Sequence, residues 1–577
     1  MAKQERWNSS PIVTLPMLAA LLAAVALFAN GSANAGTSLL YHPAIAAWAE
    51  EHPDELVPLI VQHDGTPDDL LTFVEQAGGD VEREFHMLPA IDIDLPADQV
   101  DDLASQGDVS WVSLDAPIQS TGAPPGLVDK SNLADPYPVA VKAEDPWAKG
   151  VYGSGVTVAL IDTGVSSDTK EDFRDASGNL RVQRVSIRPN IDPDRDGFGH
   201  GSHVAGIIAG YSSGTSTQGK YTGIAPGADI LSVRIADDNG NATVGDLMAG
   251  LEYVDDNREE FNIRVLNLSV TSSIAQSYKV DPIDAAVELL WFKGVVVVVA
   301  AGNDGTASDA VNYPPANDPF VITVGAFDDA GTTSYSDDRH TSWSSRGTTQ
   351  DGYAKPELMA PGVDLPSPIS PASYLATNYP QGIVEQGNQM YFAMSGTSMA
   401  AGVISGVAAL VVEAHPDWTP GEIKATLIDK GRNLSSNGGR APRAGDTNNQ
   451  SKPKPTSDDG ITPSYVLLAA IVGNEMNANS GNLGGLLGGV TDPVLAAVGS
   501  VLNEDDEATL NGIRWRDTKF LGIRWRGLEF NGIRWRQVDW TGIRWRNVEF
   551  NGIRWRGSAD FESVQWQGIR WRAFVED

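Results

Sequence analysis

The 577-residue chain contains no cysteine. That excludes disulfide bridges, a thiolate nucleophile and Cys-ligated zinc or iron–sulfur centres together. Basic residues are also scarce, with 41 Lys and Arg against 75 Asp and Glu and a formal net charge of −34. So negative a surface repels phosphate, which argues against nucleic acid as the main partner and suits a protein that must stay soluble outside the cell. Long apolar runs are scarcer still. The one candidate, residues 11–28, follows Lys3 and Arg6 and precedes Ser32-Ala33-Asn34-Ala35. A basic start, an apolar stretch and a small-x-small exit read as a secretory signal over residues 1–35, cut after Ala35. An uncleaved anchor is the alternative. Thr14 and Pro16 lie in a run near the lower limit of ~17–25 residues for a span, which favours cleavage. The expected location is therefore extracellular.

What is present fits two or three folded units, with 41% hydrophobic and 20% charged residues. Within residues 36–117, Val57–Val61, Val81–Phe85, Ala90–Leu95 and Val109–Leu114 read as strands. Helices are expected at Leu70–Gln76 and Pro96–Ala104. The order βαββαβ predicts a ferredoxin-like α+β sandwich. Residues 118–136 carry no periodicity and read as a linker. Over residues 137–431, apolar runs at Val156–Ile161, Ile230–Ile235, Val265–Leu268, Val295–Ala300 and Val321–Val324 alternate with helical stretches. One such helix opens at Asp281-Pro282. This is the pattern of a doubly wound α/β domain with a parallel sheet. Residues 432–460 have linker composition, and residues 461–510 are small, apolar and Gly-rich.

Residues 511–577 are repetitive. Gly-Ile-Arg-Trp-Arg starts at Gly512, Gly522, Gly532, Gly542, Gly552 and Gly568. Alternation puts Ile and Trp on one side of a strand and both Arg on the other. A β-rich tail follows, either a meander of short strands or a pentapeptide-type solenoid. Twelve Arg in the repeats suit an anionic or cell-surface polymer, while Glu529, Asp539 and Glu549 offer them internal partners.

Three segments of the α/β domain carry candidate chemistry. Val156–Ile161 ends in Asp162, a carboxylate at the carboxyl edge of a buried strand, where open α/β sheets build sites. His200 stands between Gly199 and Gly201 at the head of an apolar helix. His200 and His203 share a metal-like spacing, but no acidic residue lies between them as in a zinc peptidase. Asp192, Asp194 and Asp196 mimic a calcium loop whose twelfth position is His203 and not Glu. Ser398, in Ser395-Gly396-Thr397-Ser398-Met399-Ala400, opens a further apolar helix. It is either a cap or a nucleophile favoured by the positive helix end.

Together, in the order Asp, His, Ser, these motifs resemble the subtilisin-like serine peptidases over about Tyr137 to Lys430. Gly223-Ile224-Ala225-Pro226, Ser344-Ser345-Arg346-Gly347 and Met359-Ala360-Pro361-Gly362 are further matches. The resemblance implies a catalytic triad of Asp162, His200 and Ser398, with Asn303 of Ala300-Ala301-Gly302-Asn303 as oxyanion donor. It implies a substrate-pairing strand at Ser269, Val270 and Thr271, where Thr271 replaces a customary Gly. Asn312 would stand at the base of the pocket for the residue before the cut. It further implies that residues 36–117 are a propeptide, a folding aid and temporary inhibitor removed by self-cleavage within 118–136. Polypeptides are the implied substrates, no cofactor is required, and structural calcium is expected only on general grounds. The family's usual proline after the serine motif is Gly402 here.

Overall fold

The computed structural model describes Tyr41, Ile45 and residues 56–63, 67–120, 122–123, 136–175, 177–212, 219–386, 389–434, 439–447, 451–453, 457–458, 461–464 and 466–467. In the repeat region it describes only short strands between 508 and 567. The expected signal, residues 1–35, lies outside the described residues, as does most of the Gly-rich segment. The chain divides into two compact units, residues 1–115 and 116–577.

In the first unit β1 (Leu56–His63), α1 (Asp68–Gln76), β2 (Asp80–Phe85), β3 (Ala90–Pro96), α2 (Val100–Ala104) and β4 (Val109–Leu114) follow in the expected order. The strands pair antiparallel in the order β2-β3-β1-β4. That is the ferredoxin-like arrangement read from the sequence. Leu59, Val61, Ile91, Ile93 and Val112 are fully buried and form its core.

The second unit opens with two short strands, β5 (Pro117–Ser120) and β6 (Gly122–Ala123), inside the stretch expected to be a plain linker. The α/β core then comprises β7 (Thr157–Asp162), β8 (Val182–Ser186), α3 (His200–Ala209), β9 (Asp229–Arg234), β10 (Ala242–Thr243), α4 (Val244–Asp256), β11 (Ile263–Leu268) and β12 (Val270–Ser272). After these come α5 (Pro282–Phe292), β13 (Val296–Ala300), β14 (Ile322–Asp328), β15 (Leu358–Pro361), β16 (Leu365–Ile369), β17 (Met390–Gly396), α6 (Thr397–Ala414) and α7 (Pro420–Lys430). Seven strands pair in parallel in the order β15-β14-β13-β11-β7-β9-β8. All six residues of β7 and all five of β13 are buried, as strands covered on both faces must be. The helix pairs α3–α6 and α4–α5 pack together and against the sheet. Local chemistry sets the helix starts. Thr243 and Asp246 close a capping box on α4, and the Asp281 carboxylate accepts from Ile283 and Asp284 N–H with Pro282 in the first turn of α5.

The chain stays packed past residue 431, where composition suggests a linker. Ala444 and Thr447 are fully buried. Trp291 donates to Asp458 at 3.2 Å, and Ser464 N–H donates to both oxygens of the buried Glu288 at 3.0 and 2.8 Å. In the repeats, described strands pair in parallel twenty residues apart, Trp515 with Trp535, Trp525 with Trp545 and Phe530 with Phe550, and the last pair sixteen apart, Phe550 with Trp566. Their side chains lie outside the described residues.

Candidate active site

Asp162 ends β7 and Ser269 directly follows β11, its neighbour. From β7 the chain winds to the β9–β8 side of the sheet, and from β11 to the β13–β15 side. The carboxyl ends of these two strands therefore border a topological switch point, where open α/β sheets hold ligands.

His200 is the first residue of α3, and its Nδ1 lies 2.8 Å from Asp162 Oδ1. The same carboxylate oxygen accepts from Thr163 N–H at 2.7 Å. Glycine is required on both sides of the histidine. Gly199 has a left-handed φ of 104°, and a Cβ at Gly201 would meet the Gly164 carbonyl at 2.2 Å. Burial opposes the imidazolium most strongly. The charge of Asp162, its hydrogen bond and the charge of Asp196 outweigh that and hold His200 above the ordinary imidazole value. His200 Nε2, the end facing away from Asp162, is buried with no hydrogen-bond partner among the described residues.

Ser398 lies in the first turn of α6, which continues directly from β17. Its hydroxyl donates to the Ser269 carbonyl at 3.5 Å, and Ser269 Oγ donates to the Ser398 carbonyl at 3.3 Å. Asn267 Nδ2 donates to Ser269 Oγ, and Ser405 Oγ to Asn267 Oδ1, so a buried polar chain ties β11 to α6. Asn303 follows β13. Its Oδ1 accepts from Thr397 N–H at 3.1 Å and Thr397 Oγ at 3.2 Å. Two donors on the carbonyl end fix the amide orientation and leave Nδ2 as the donor end. Asp162, His200 and Ser398 are 2%, 1% and 0% exposed, so the site is covered in this structure.

With an Asp–His pair at a switch point and a serine at a helix head described, the chain can be set beside known proteins. The subtilase family model matches residues 153–452, and a peptidase inhibitor domain matches residues 24–115. The chain belongs to the subtilase family. Serine protease AprX of Bacillus subtilis is 40% identical over 280 residues, 48% of this chain and 61% of that protein. The chain thus spans about three fifths of that relative's length. M-protease of Shouchella clausii is 28% identical over 424 residues, 70% of this chain and 94% of that protein. The crystal structure of fervidolysin from Fervidobacterium pennivorans superposes with a TM-score of 0.52 at 23% identity, covering 69% of this chain and 62% of that one. At that identity it supports the fold alone.

Within this subtilase the remaining sequence-derived candidates separate. Val270 and Thr271 lie in β12, paired antiparallel with Ser120 and Gln119 of β5. Asn312 is the acceptor in two described hydrogen bonds. Its carbonyl accepts from Gln276 N–H and its Oδ1 from Gln350 N–H. His203, considered as a metal ligand, faces two carbonyls instead, Leu365 O at 3.0 Å and Phe392 O at 2.9 Å from Nε2. Burial pushes it down to about 3, so it is a neutral donor that pins α3 to β16 and β17.

Sequence reasoning missed Asp196. Its Oδ1 accepts from Thr163 Oγ at 2.8 Å and Gly199 N–H at 2.7 Å, and its Oδ2 from Ser202 N–H at 2.8 Å. It clamps the head of α3, and with it His200, to the end of β7. The only signal was its place in an acidic loop that mimics a calcium loop without the glutamate at its twelfth position. That loop does not fit a calcium ion. Asp196 is occupied by protein donors, and the buried Arg234 guanidinium donates to the Asp192 and Arg195 carbonyls. Among the described residues no group of three or more His, Asp or Glu is placed to hold a metal.

Proposed function

We propose that the chain is a secreted serine endopeptidase, made as a self-processing precursor, that cuts peptide bonds through an acyl-enzyme on Ser398. The observation that carries this reading is the buried 2.8 Å contact of His200 Nδ1 with Asp162, whose opposite nitrogen is left to take a proton. The Ser398 hydroxyl adds to the substrate carbonyl while His200 Nε2 removes its proton. Asp162 holds the tautomer and offsets the imidazolium charge. Asn303 Nδ2 and the Ser398 N–H stabilise the oxyanion. His200 then protonates the leaving amine, and water hydrolyses the ester by the reverse route. Substrate lies extended against β12, adding a strand to it. The inhibitor-type first unit is the temporary inhibitor of this site.

Secretion rests on the pattern of residues 1–35. For the repeats, parallel pairing at twenty residues supports a coil of four five-residue strands per turn, suited to holding the enzyme at an anionic or cell-surface polymer.

The test is labelling with a fluorophosphonate probe alongside casein hydrolysis. Mature wild type is expected to label once, at Ser398, and to hydrolyse casein, and the Ser398→Ala chain to do neither. Unlabelled, inactive wild type defeats the reading.

A further inference from the structure

Two lysines of the second unit are buried with their charge turned inward. Lys424 of α7 and Lys355, two residues ahead of Glu357, are each 3% exposed. Lys424 Nζ donates to the Pro319, Phe320 and Val321 carbonyls at 2.8, 3.2 and 2.8 Å, and to Glu357 Oε1 at 2.7 Å. Lys355 Nζ donates to the Asp318 carbonyl, to Thr323 Oγ at 2.8 Å and to the same Glu357 oxygen at 2.8 Å. The consecutive carbonyls of residues 318–321 therefore all face ammonium groups. Local chemistry turns them that way. Asp318 Oδ1 accepts from Phe320 and Val321 N–H at 2.8 and 3.3 Å. In a trans peptide the carbonyl points opposite the N–H, which leaves the Pro319 and Phe320 carbonyls aimed at Lys424.

A salt bridge to Glu357 accounts for one contact of each lysine and leaves the carbonyls unexplained. Lys424 has three N–H bonds for four oxygen neighbours, which is the surround of a coordinated cation. Convergent backbone carbonyls are what proteins use to replace the water around a hard cation. This cage is also tied to the cleft. Thr323 Oγ donates to the Ala316 carbonyl at 2.7 Å, and Asn317 Nδ2 to the Gln276 carbonyl at 2.7 Å. Gln276 N–H donates in turn to the Asn312 carbonyl at 3.2 Å, and Ser272 N–H, at the end of β12, to the Pro314 carbonyl at 2.7 Å. Residues 312–321 thus run from the two ammonium groups to strand β12.

We infer that Lys424 and Lys355 are positioning residues for hydrolysis, tethered cations that fix residues 312–321 and, through them, the strand against which substrate lies. This rests on the peptidase reading and adds a remote support to it. The cage takes a primary ammonium, and the chain supplies its own from α7 and from the approach to β15. Support of this kind sets how well β12 receives substrate and leaves the chemistry at Ser398 alone, so its loss is read in KM before kcat.

The experiment compares mature wild type with Lys424→Gly, which opens the cage, and Lys424→Met, which fills it without charge. KM and kcat on casein are measured with and without n-propylammonium chloride, and with tetramethylammonium chloride at equal ionic strength. Lys424→Gly is expected to raise KM about tenfold with kcat within about twofold, and propylammonium to restore KM saturably. Tetramethylammonium, which has no N–H, should restore nothing, and Lys424→Met should respond to neither salt. Thr323→Val, a milder change that removes one acceptor of Lys355 and the tie to Ala316, should raise KM about threefold. An unmoved KM in active Lys424→Gly, a loss that propylammonium does not restore, or equal recovery of Lys424→Met overturns the inference. Fluorophosphonate labelling of the same samples keeps the peptidase reading intact in those cases. Where Lys424→Gly is recovered active neither with nor without the amine, Thr323→Val decides, a raised KM upholding the inference and an unmoved one overturning it. Wild type that neither hydrolyses casein nor takes the label removes the peptidase reading and this inference with it.

Discussion

Replacing Asp196 by Asn tests whether His200 is placed and tuned from outside the triad. Asp196 is 1% exposed and accepts hydrogen bonds from Thr163 Oγ, Gly199 N–H and Ser202 N–H, with a further one from the Ser202 side chain. An amide keeps one acceptor, enough for the first two, and turns its NH2 toward the Ser202 N–H. One bond to a charged acceptor, about 1.5–3 kcal/mol, is lost and a buried donor is left unpaired at about 1–3 kcal/mol. Allowing for relaxation, the folded state should lose about 2–4 kcal/mol in urea or guanidinium unfolding. Structural loss alone would leave the chemistry of the surviving folded enzyme untouched, so the deciding readout is the pH profile. Hydrolysis needs neutral His200, and Asp196 contributes negative charge that favours its protonation. Removing that charge lets His200 lose its proton more readily, so the acid limb of kcat/KM should move to lower pH. Loosening the head of α3 should also lower the plateau by about tenfold, the equivalent of about 1.4 kcal/mol. An unmoved acid limb together with a stability change within about 0.5 kcal/mol refutes the reasoning.

Three other perturbations follow from the same geometry. Gly201→Ala places a Cβ 2.2 Å from the Gly164 carbonyl. The displacement should cost about 1–3 kcal/mol in thermal unfolding and most of the activity. Thr397→Val removes the hydroxyl donor that orients the Asn303 amide at 3.2 Å; kcat should fall about tenfold with KM little changed, as when a transition-state interaction loosens. His203 is held down at about 3 against an ordinary 6.5, so the unfolded chain takes its proton first as pH falls. Its contribution to stability is full above about 6.5 and is lost toward about 3, at roughly 1.4 kcal/mol per pH unit. A His203→Gln chain should show a flatter acid stability curve by that amount, and an unchanged slope counts against a neutral buried imidazole.

The parallel strands were legible because each is an unbroken apolar run, and Val296–Ala300 could hardly have been anything else. The candidate triad was legible because glycine marks close backbone approach around His200 and an apolar helix follows both His200 and Ser398. Pro117–Ala123 was not legible as strand. Those residues carry no periodic apolar pattern in the sequence, and the described strands are set by pairing with β10, β12 and β17, far away in sequence. Asp196 was opaque for a related reason. Its donors are backbone N–H groups and a hydroxyl, which leave no pattern beyond the acidic loop itself. In the repeats, alternation identified strands but could not choose between hairpin and coil pairing, because both use the same five-residue period. Asp458 fell in a stretch of linker composition and Ser464 in one with no assigned role, because their ties to α5 are one carboxylate and one backbone N–H.

Those ties bear on where the enzyme can be trimmed. Similarity to the family stops at residue 452, and a cut there looks harmless by alignment. It would remove Ser464, which satisfies both oxygens of the buried Glu288, and Asp458, which receives the Trp291 indole N–H. Burial together with the charge of Asp318 already pushes the Glu288 carboxyl well above the ordinary range, so losing its donors adds to an existing penalty. The stretch after residue 452 acts as a strut from outside the recognised family boundary. The shortest stable enzyme should therefore end beyond Leu467, and proteolytic trimming that stops short of it should weaken the hydrolase from the side opposite its alignment.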